Sequence, residues 1–161
     1  MKNCLLEPEK FSGCEAALPE ERVRNSSQYQ KAKDYYTELF RGCEPDCLPL
    51  SDTQEDAEEI VSMILPGHAD TETIKKFCDD NGVSENDFYT AAFGYVIACF
   101  SGRGDSIFTT INNGRNDSKF MNSVSMFVRT YPVICKITEN TVLDYIRKVK
   151  RQLTDSLSYE A

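Results

Sequence analysis

The sequence predicts a mixed α/β chain. Three observations carry that expectation: four stretches with apolar residues at helical spacing, three short runs rich in β-branched residues, and their interleaving without an internal repeat. With 161 residues, 40% of them hydrophobic and 27% charged, the chain has the size and composition of a single globular domain, expected over 1–161.

Residues 1–25 show no periodicity, carry Pro8, Gly13, Pro19 and an acidic cluster from Glu15 to Glu21, and predict a loosely structured opening segment. A helix is expected over 27–41, capped by Ser26 or Ser27, with Ala32, Tyr36, Leu39 and Phe40 on one face and Gly42 as its stop. The Cys43–Leu50 stretch, with two prolines, is a loop. Residues 59–65, EIVSMIL, suit a buried strand ended by Pro66-Gly67. Asp70 or Thr71 caps the next helix, which turns Ile74, Phe77 and Cys78 inward and stops at Gly82. Ser84, with Asp87 three residues on, opens a third helix as a variant capping box. That helix is apolar nearly all round: Phe88, Ala92, Val96 and Phe100 share a face, with Phe93 and Ile97 close beside it. The pattern predicts a central, buried helix. Residues 106–111 read as a strand, NNGRNDS as a polar turn, 117–125 as a short helix or loop, and 126–137 as a strand interrupted at Pro132, bulged or at an edge there. Asn140 or Thr141 caps a last helix striped by Val142, Ile146, Val149, Leu153 and Leu157. Lys148, Lys150 and Arg151 lie off the stripe as a solvated face.

Charge and motifs narrow the function. Lys and Arg total 18 against 26 Asp and Glu, a net charge of −8, which argues against a nucleic-acid partner because phosphate binding needs a basic face. No apolar run reaches the ~18 residues of a membrane span, and MKNCLLEPEKF is too short and acidic for a signal peptide. Seven cysteines, an odd number, predict free thiols in a reducing cytoplasm. Cys78, Cys99 and Cys135 sit in apolar stretches and are expected to be buried. Cys43 and Cys47 have no second pair at zinc spacing, so no metal site is expected. The one histidine, His68, lies in a Pro-Gly turn with no nucleophile tied to it. Arg103-Gly104-Asp105 matches an adhesion tripeptide, but three residues are a weak match, and here they join a helix to a strand. No G-x-S-x-G elbow, P-loop or G-x-G-x-x-G occurs.

The longer pattern is more informative. AAFGYVIACFSG, DSIFTTINNGRND and SVSMFVRTYPVICKI follow one another as a buried helix, a strand delivering a Gly-Arg pair, and a Met-Phe-Val segment. In that order and spacing they resemble the condensation domain of nonribosomal peptide synthetases. The flanks agree: FSGCEAALPEER, SQYQKAKDYYTELFRG with Leu48-Pro49, and VLDYIRKVKRQLTDSLSYEA each sit where that family has a matching segment. The resemblance implies an α/β sandwich: a partial chloramphenicol-acetyltransferase-like lobe, a mixed sheet packed with helices, corresponding to the front of the second lobe. The His-His-x-x-x-Asp-Gly signature that closes the family's first lobe has no match in this chain, so no catalytic residue is expected here and the chain alone is expected to be inactive.

Further expectations follow from the resemblance. The parent domain would join carrier-bound aminoacyl or peptidyl thioesters through an amide bond. It would bind no cofactor directly, the 4'-phosphopantetheine belonging to the carrier proteins. Its partners would be the rest of the condensation domain and neighbouring carrier and adenylation domains, with self-association of the fragment through uncovered apolar surface. Ser125, Phe127, Arg129 and Thr130 would line the substrate tunnel. Gly114 and Arg115 would present an ion pair to the Asp of the catalytic loop, and in this chain alone loss of Arg115 would be nearly neutral. Ser125 replaces a family glycine, Arg129 a family asparagine, and Ile134 or Cys135 a family arginine. A degenerate carrier-docking module, a free-standing acyltransferase and an adhesion-type interaction domain are the other readings.

Overall fold

The computed structural model describes Glu15 and residues 22–44, 63–115 and 118–159. Among the described residues, after a helical stretch at 22–24, the elements in order are α1 (Ser27–Leu39), α2 (Thr71–Asn81), α3 (Glu85–Ser101), β1 (Asp105–Asn112), β2 (Arg129–Lys136) and α4 (Val142–Ser158). A single 3-10 turn, Ser118–Phe120, lies between the strands.

Local chemistry sets the helix ends. Ser26 accepts from the Gln28 amide at 3.2 Å and opens α1. Asp70 accepts from the Thr73 amide at 3.0 Å and its hydroxyl at 2.7 Å, and these bonds hold its carboxyl below the usual range. The Ser84–Asp87 capping box is complete, with both reciprocal bonds made. Thr141, the later of the two expected caps, accepts from the Asp144 amide at 3.1 Å. The two strands pair as one sheet. Just beyond their ends the Ile137 amide donates to the Gly104 carbonyl at 2.9 Å, so the start of β1 meets the end of β2 and the pairing is antiparallel.

The chain divides into two compact units. One comprises the described residues of 1–43, 109–133 and 154–161; the other those of 44–108 and 134–153. In the first, Ala32, Phe120, Tyr131, Val133 and Ser156 are buried, and Tyr35 stacks on Tyr159 with ring centroids 4.6 Å apart. In the second, Cys78, Val83, Ala91, Ala98, Ile134, Cys135, Tyr145, Ile146 and Val149 form the core. The closest approach there is between α3 and the strands. A Cβ on Gly94 would overlap the Cys135 thiol and lie 3.2 Å from the Phe108 ring. The Ser106 hydroxyl donates to the Gly94 carbonyl at 2.8 Å, and the Tyr145 hydroxyl to the Ala91 carbonyl at 3.1 Å.

Several expectations are corrected. Met63, Ile64 and Leu65 are exposed coil, not a buried strand. An apolar run needs a paired neighbour to become a strand, and among the described residues the two strands pair only with each other. Residues 59–62 of that expected strand, most of the 1–25 segment and the 45–50 loop lie outside the described residues. The last expected strand starts later, at Arg129, and runs through Pro132 to Lys136. Helix α3 is not buried all round. Its small residues face the core, while Tyr89, Phe93, Val96 and Phe100 are exposed. Cys99, on the same helix, is exposed as well, whereas Cys78 and Cys135 are buried. The α4 stripe is buried at Ile146 and Val149 and exposed at its ends, Val142 and Leu157. Two of the lysines off that stripe are not simply solvated. Lys148 pairs with Glu139 at 2.6 Å, and Lys150 donates to the Gly82 carbonyl at 2.5 Å. Gly82 ends α2, where unpaired carbonyls and the helix dipole attract a cation.

The Cys135–Tyr145 contact makes stability sensitive to base. Burial pushes both groups above their ordinary pKa; the Cys135 hydrogen bond adds to the shift of Tyr145, while bonds from Tyr145 and Ser106 oppose that of Cys135. Groups raised in the folded state contribute stability in full below their unfolded values and lose it as pH rises beyond them. Urea stability is therefore expected to be flat near neutrality and to fall above about pH 9, by up to about 1.4 kcal/mol per pH unit for each group. Tyr145→Phe should flatten the alkaline limb; an unchanged slope would show that these groups do not control it.

Candidate functional site

The site grows out of the end of β1. The Asn112 side chain accepts from the Gly114 amide at 2.7 Å, and the Asn113 side chain from the Arg115 amide at 3.0 Å. Asparagine suits such turns because its side chain bonds the backbone two residues on. Gly114 has φ 64, and a Cβ there would overlap the Phe127 carbonyl. This tight approach delivers Arg115 onto two partners. Its guanidinium donates to the Phe120 carbonyl and lies 4.4 Å from the Phe127 ring centroid. The two rings are themselves 5.6 Å apart. The Phe120 carbonyl also takes the Ser123 amide at 3.1 Å, so the 3-10 turn is closed onto the same acceptor.

From Val124 the chain runs to β2 with Val124, Met126 and Val128 exposed and Phe127 half-buried between them. Ser125 and Thr130 are exposed, and Arg129 is half-buried. The structure thus brings Gly114, Arg115 and Phe127 into one cluster, while Ser125 lies in the coil before Phe127 and Arg129 and Thr130 open β2. Asn112, Asn113 and Phe120 complete the cluster. The sequence reading took NNGRNDS as a polar turn without giving Asn112 or Asn113 a role, and it passed over Phe120.

Arg115 is therefore not a solvated turn residue, and with these contacts its loss in this chain is expected to cost more than the nearly neutral change read from the sequence. A charged donor on a carbonyl and a cation over a ring predict that Arg115→Ala costs about 1–2 kcal/mol, readable by urea denaturation.

The other features lie apart from this cluster. His68 is exposed in coil. Arg103 pairs with Glu44 at 3.4 Å and Asp105 at 3.6 Å, which engages both charges of the Arg-Gly-Asp tripeptide. Cys43 is half-buried, and Cys47 lies outside the described residues. Phe88, Val96, Ile137, Val142 and Tyr145 help line an apolar groove of 390 Å³ beside α3. Among the described residues, no helix is long and apolar enough to cross a membrane.

Known proteins resemble this chain in sequence and in fold. The chain is 26% identical over 164 residues to malpibaldin synthetase of Mortierella alpina, covering 98% of this chain and 3% of that protein. It is 25% identical over 138 residues to surfactin synthase subunit 1 of Bacillus subtilis, covering 82% and 4%. In fold it resembles SgcC5 of Streptomyces globisporus, with a TM-score of 0.78 at 16% identity, covering 96% of this chain and 36% of that one. The first condensation domain of the CDA synthetase gives 0.72 at 17%, covering 95% and 34%. The chain thus spans a small part of the synthetases and about a third of the solved chains. The family model of the condensation domain matches residues 16–161, and the chain belongs to the condensation domain family of the nonribosomal peptide synthetases.

Proposed function

We propose that this chain is the front part of the second lobe of an amide-forming condensation domain, supplying a tunnel wall and a loop-holding arginine but not the catalytic histidine. The observation that carries this reading is Arg115 seated on Phe127. It joins in one cluster the Gly-Arg pair and the Met-Phe-Val segment, the two motifs on which the resemblance rests.

In the reaction, the amine nitrogen of one carrier-bound aminoacyl group attacks the thioester carbon of the other. The C–N bond forms, the C–S bond breaks, and the arm of the carrier that held the attacked thioester leaves as a thiol, taking up the proton the amine gives up. The neighbouring lobe's histidine would hold or take that proton. This chain's part is to hold the tethered reactants in line and exclude water. The exposed strip Val124, Met126 and Val128, with the Ser125 and Thr130 hydroxyls beside it, suits a thin arm that is partly apolar and partly amide. Phosphopantetheine would enter on carrier proteins, with adenylation domains as further partners, and the work would be done in the cytoplasm. Arg115 would grip the Asp of the catalytic loop with its planar fork, leaving its place on Phe127 or sharing it.

The test is dipeptide formation from two loaded carrier proteins. The 161-residue chain alone is expected to give no product, and the parent condensation domain to turn over. Arg115→Ala in the parent should lower turnover about a hundredfold, as stranding one member of a buried pair does, with Arg115→Lys recovering part of it. Product from the chain alone would overturn the reading. Full turnover by the parent Arg115→Ala variant would remove the loop-holding role.

A further inference from the structure

The chain contains two Asn-Gly pairs, Asn81-Gly82 and Asn113-Gly114. Asparagine before glycine is open to a reaction of its own, because no side chain shields the glycine nitrogen from the asparagine side-chain carbon. The fold treats the two pairs differently. Asn81 is the last residue of α2, and its side-chain nitrogen donates to the Phe77 carbonyl at 2.8 Å. The Gly82 amide donates back into the helix, to the Asp79 and Cys78 carbonyls, and the Gly82 carbonyl takes Lys150. Closing a ring there means unwinding a helix end. Asn113 is exposed, in the coil just after β1. Its side-chain oxygen accepts from the Arg115 amide at 3.0 Å, which draws electrons from Cγ. The Gly114 amide is restrained by the Asn112 side chain, at 2.7 Å.

We propose that Asn113 is a site of spontaneous deamidation, guarded by the cluster around Arg115 and reached when that turn opens. The Gly114 nitrogen bonds to Asn113 Cγ, the Cγ–Nδ2 bond breaks, and ammonia leaves with the proton that the Gly114 nitrogen gave up. Water then opens the cyclic imide. Cleavage of the new Cγ–N bond gives aspartate; cleavage of the original peptide bond gives isoaspartate, whose main chain runs through the former side chain. The guard lies in the same atoms. The attacking nitrogen must surrender the hydrogen it gives to Asn112, and ring closure must rotate a turn wedged against the Phe127 carbonyl. Conversion therefore proceeds in proportion to the fraction of chains with the turn open. It runs one way. Isoaspartate lengthens the main chain by a carbon and adds a negative charge, so Gly114 no longer returns to Phe127 and Arg115 loses its seat on Phe127 and Phe120. The turn alone carries this inference; only a loss of turnover in the parent domain would rest on the proposed function.

The test is to hold the 161-residue chain at mildly alkaline pH and follow isoaspartate at each site by tryptic peptide mapping. Isoaspartate is expected to accumulate at 113 ahead of 81 in the folded chain, whereas in concentrated urea the two sites should convert at similar rates. The ratio of the unfolded to the folded rate at 113 measures the guard. Arg115→Ala should lower that ratio about 5–30-fold, through the contacts that hold the turn shut. Asn112→Ala should lower it about fivefold, as loss of one hydrogen bond does. The urea midpoint of the chain should fall as isoaspartate builds up, while Asn113→Ser, whose hydroxyl can keep the turn, should hold its midpoint through the same incubation. No conversion at 113, or conversion at 81 as fast or faster in the folded chain, would overturn the proposal. An unchanged ratio in both variants would overturn the guard. A midpoint that stays constant while isoaspartate accumulates would overturn the release of Arg115.

Discussion

Gly114→Ala is expected to lower the stability of the chain by about 3 kcal/mol or more, the larger of two glycine effects. Two costs add. The residue sits at φ 64, where a side chain strains the backbone by about 1–2 kcal/mol. The new methyl would also overlap the Phe127 carbonyl, a backbone group that cannot turn aside as a side chain could. Relief requires the 113–115 turn to open, and that lifts Arg115 off Phe127 and Phe120. The loss should therefore appear in stability and, in the parent domain, in turnover. Gly67→Ala is the control: Gly67 is exposed, has ordinary φ, and a Cβ there meets nothing within 4 Å, so it should behave as an ordinary surface change. Urea denaturation of both variants decides it. Equal stabilities would mean that the turn does not hold the close approach described.

Gly94→Val should cost about 3 kcal/mol, for a different reason. Gly94 lies inside α3 with helical backbone, and on propensity alone a larger residue would gain up to ~1 kcal/mol. Packing reverses the sign. A Cβ would lie 2.9 Å from the Cys135 Cβ and overlap its thiol, and Cys135 is itself buried with nowhere to move. Overpacking a close-packed core costs about 1–3 kcal/mol, and the branched valine sits at the upper end. Gly94→Ala should fall between valine and wild type. If the thiol is the obstacle, Cys135→Ala should recover part of the Gly94→Ala loss, with a coupling of about 0.5–3 kcal/mol in the double-mutant cycle. Additive losses would place the strain elsewhere, at Phe108.

The two glycines mark the boundary between what local sequence determines and what packing decides. The caps Ser26, Asp70, Ser84 and Thr141, and the stop at Gly82, were legible because each depends on bonds within three residues. The four helices and two of the three expected strands follow from periodicity of the same short range. Family membership was legible too, because it rests on the order of motifs along the chain.

Burial was less legible, since it depends on which faces find partners. The apolar run at 63–65 pairs with nothing described, and its side chains lie in solvent. Helix α3 is apolar nearly all round, so its composition could not indicate which side packs; Gly94, Ala91 and Ala98 settle it because only small residues allow the close approach to Cys135 and Phe108. At the candidate site, Gly114, Arg115 and Phe127 were picked out singly by resemblance to a family. Their meeting, with Phe120 as a fourth member, was decided by the return of the chain from Asn112 to Phe127, a long-range closure that short-range pattern does not encode. Sequence by itself determined the four helices and their caps, two of the three expected strands and the family. The tertiary structure decided which apolar faces are covered and which stay free, because burial is a property of pairs of surfaces and each element carries only one of the pair.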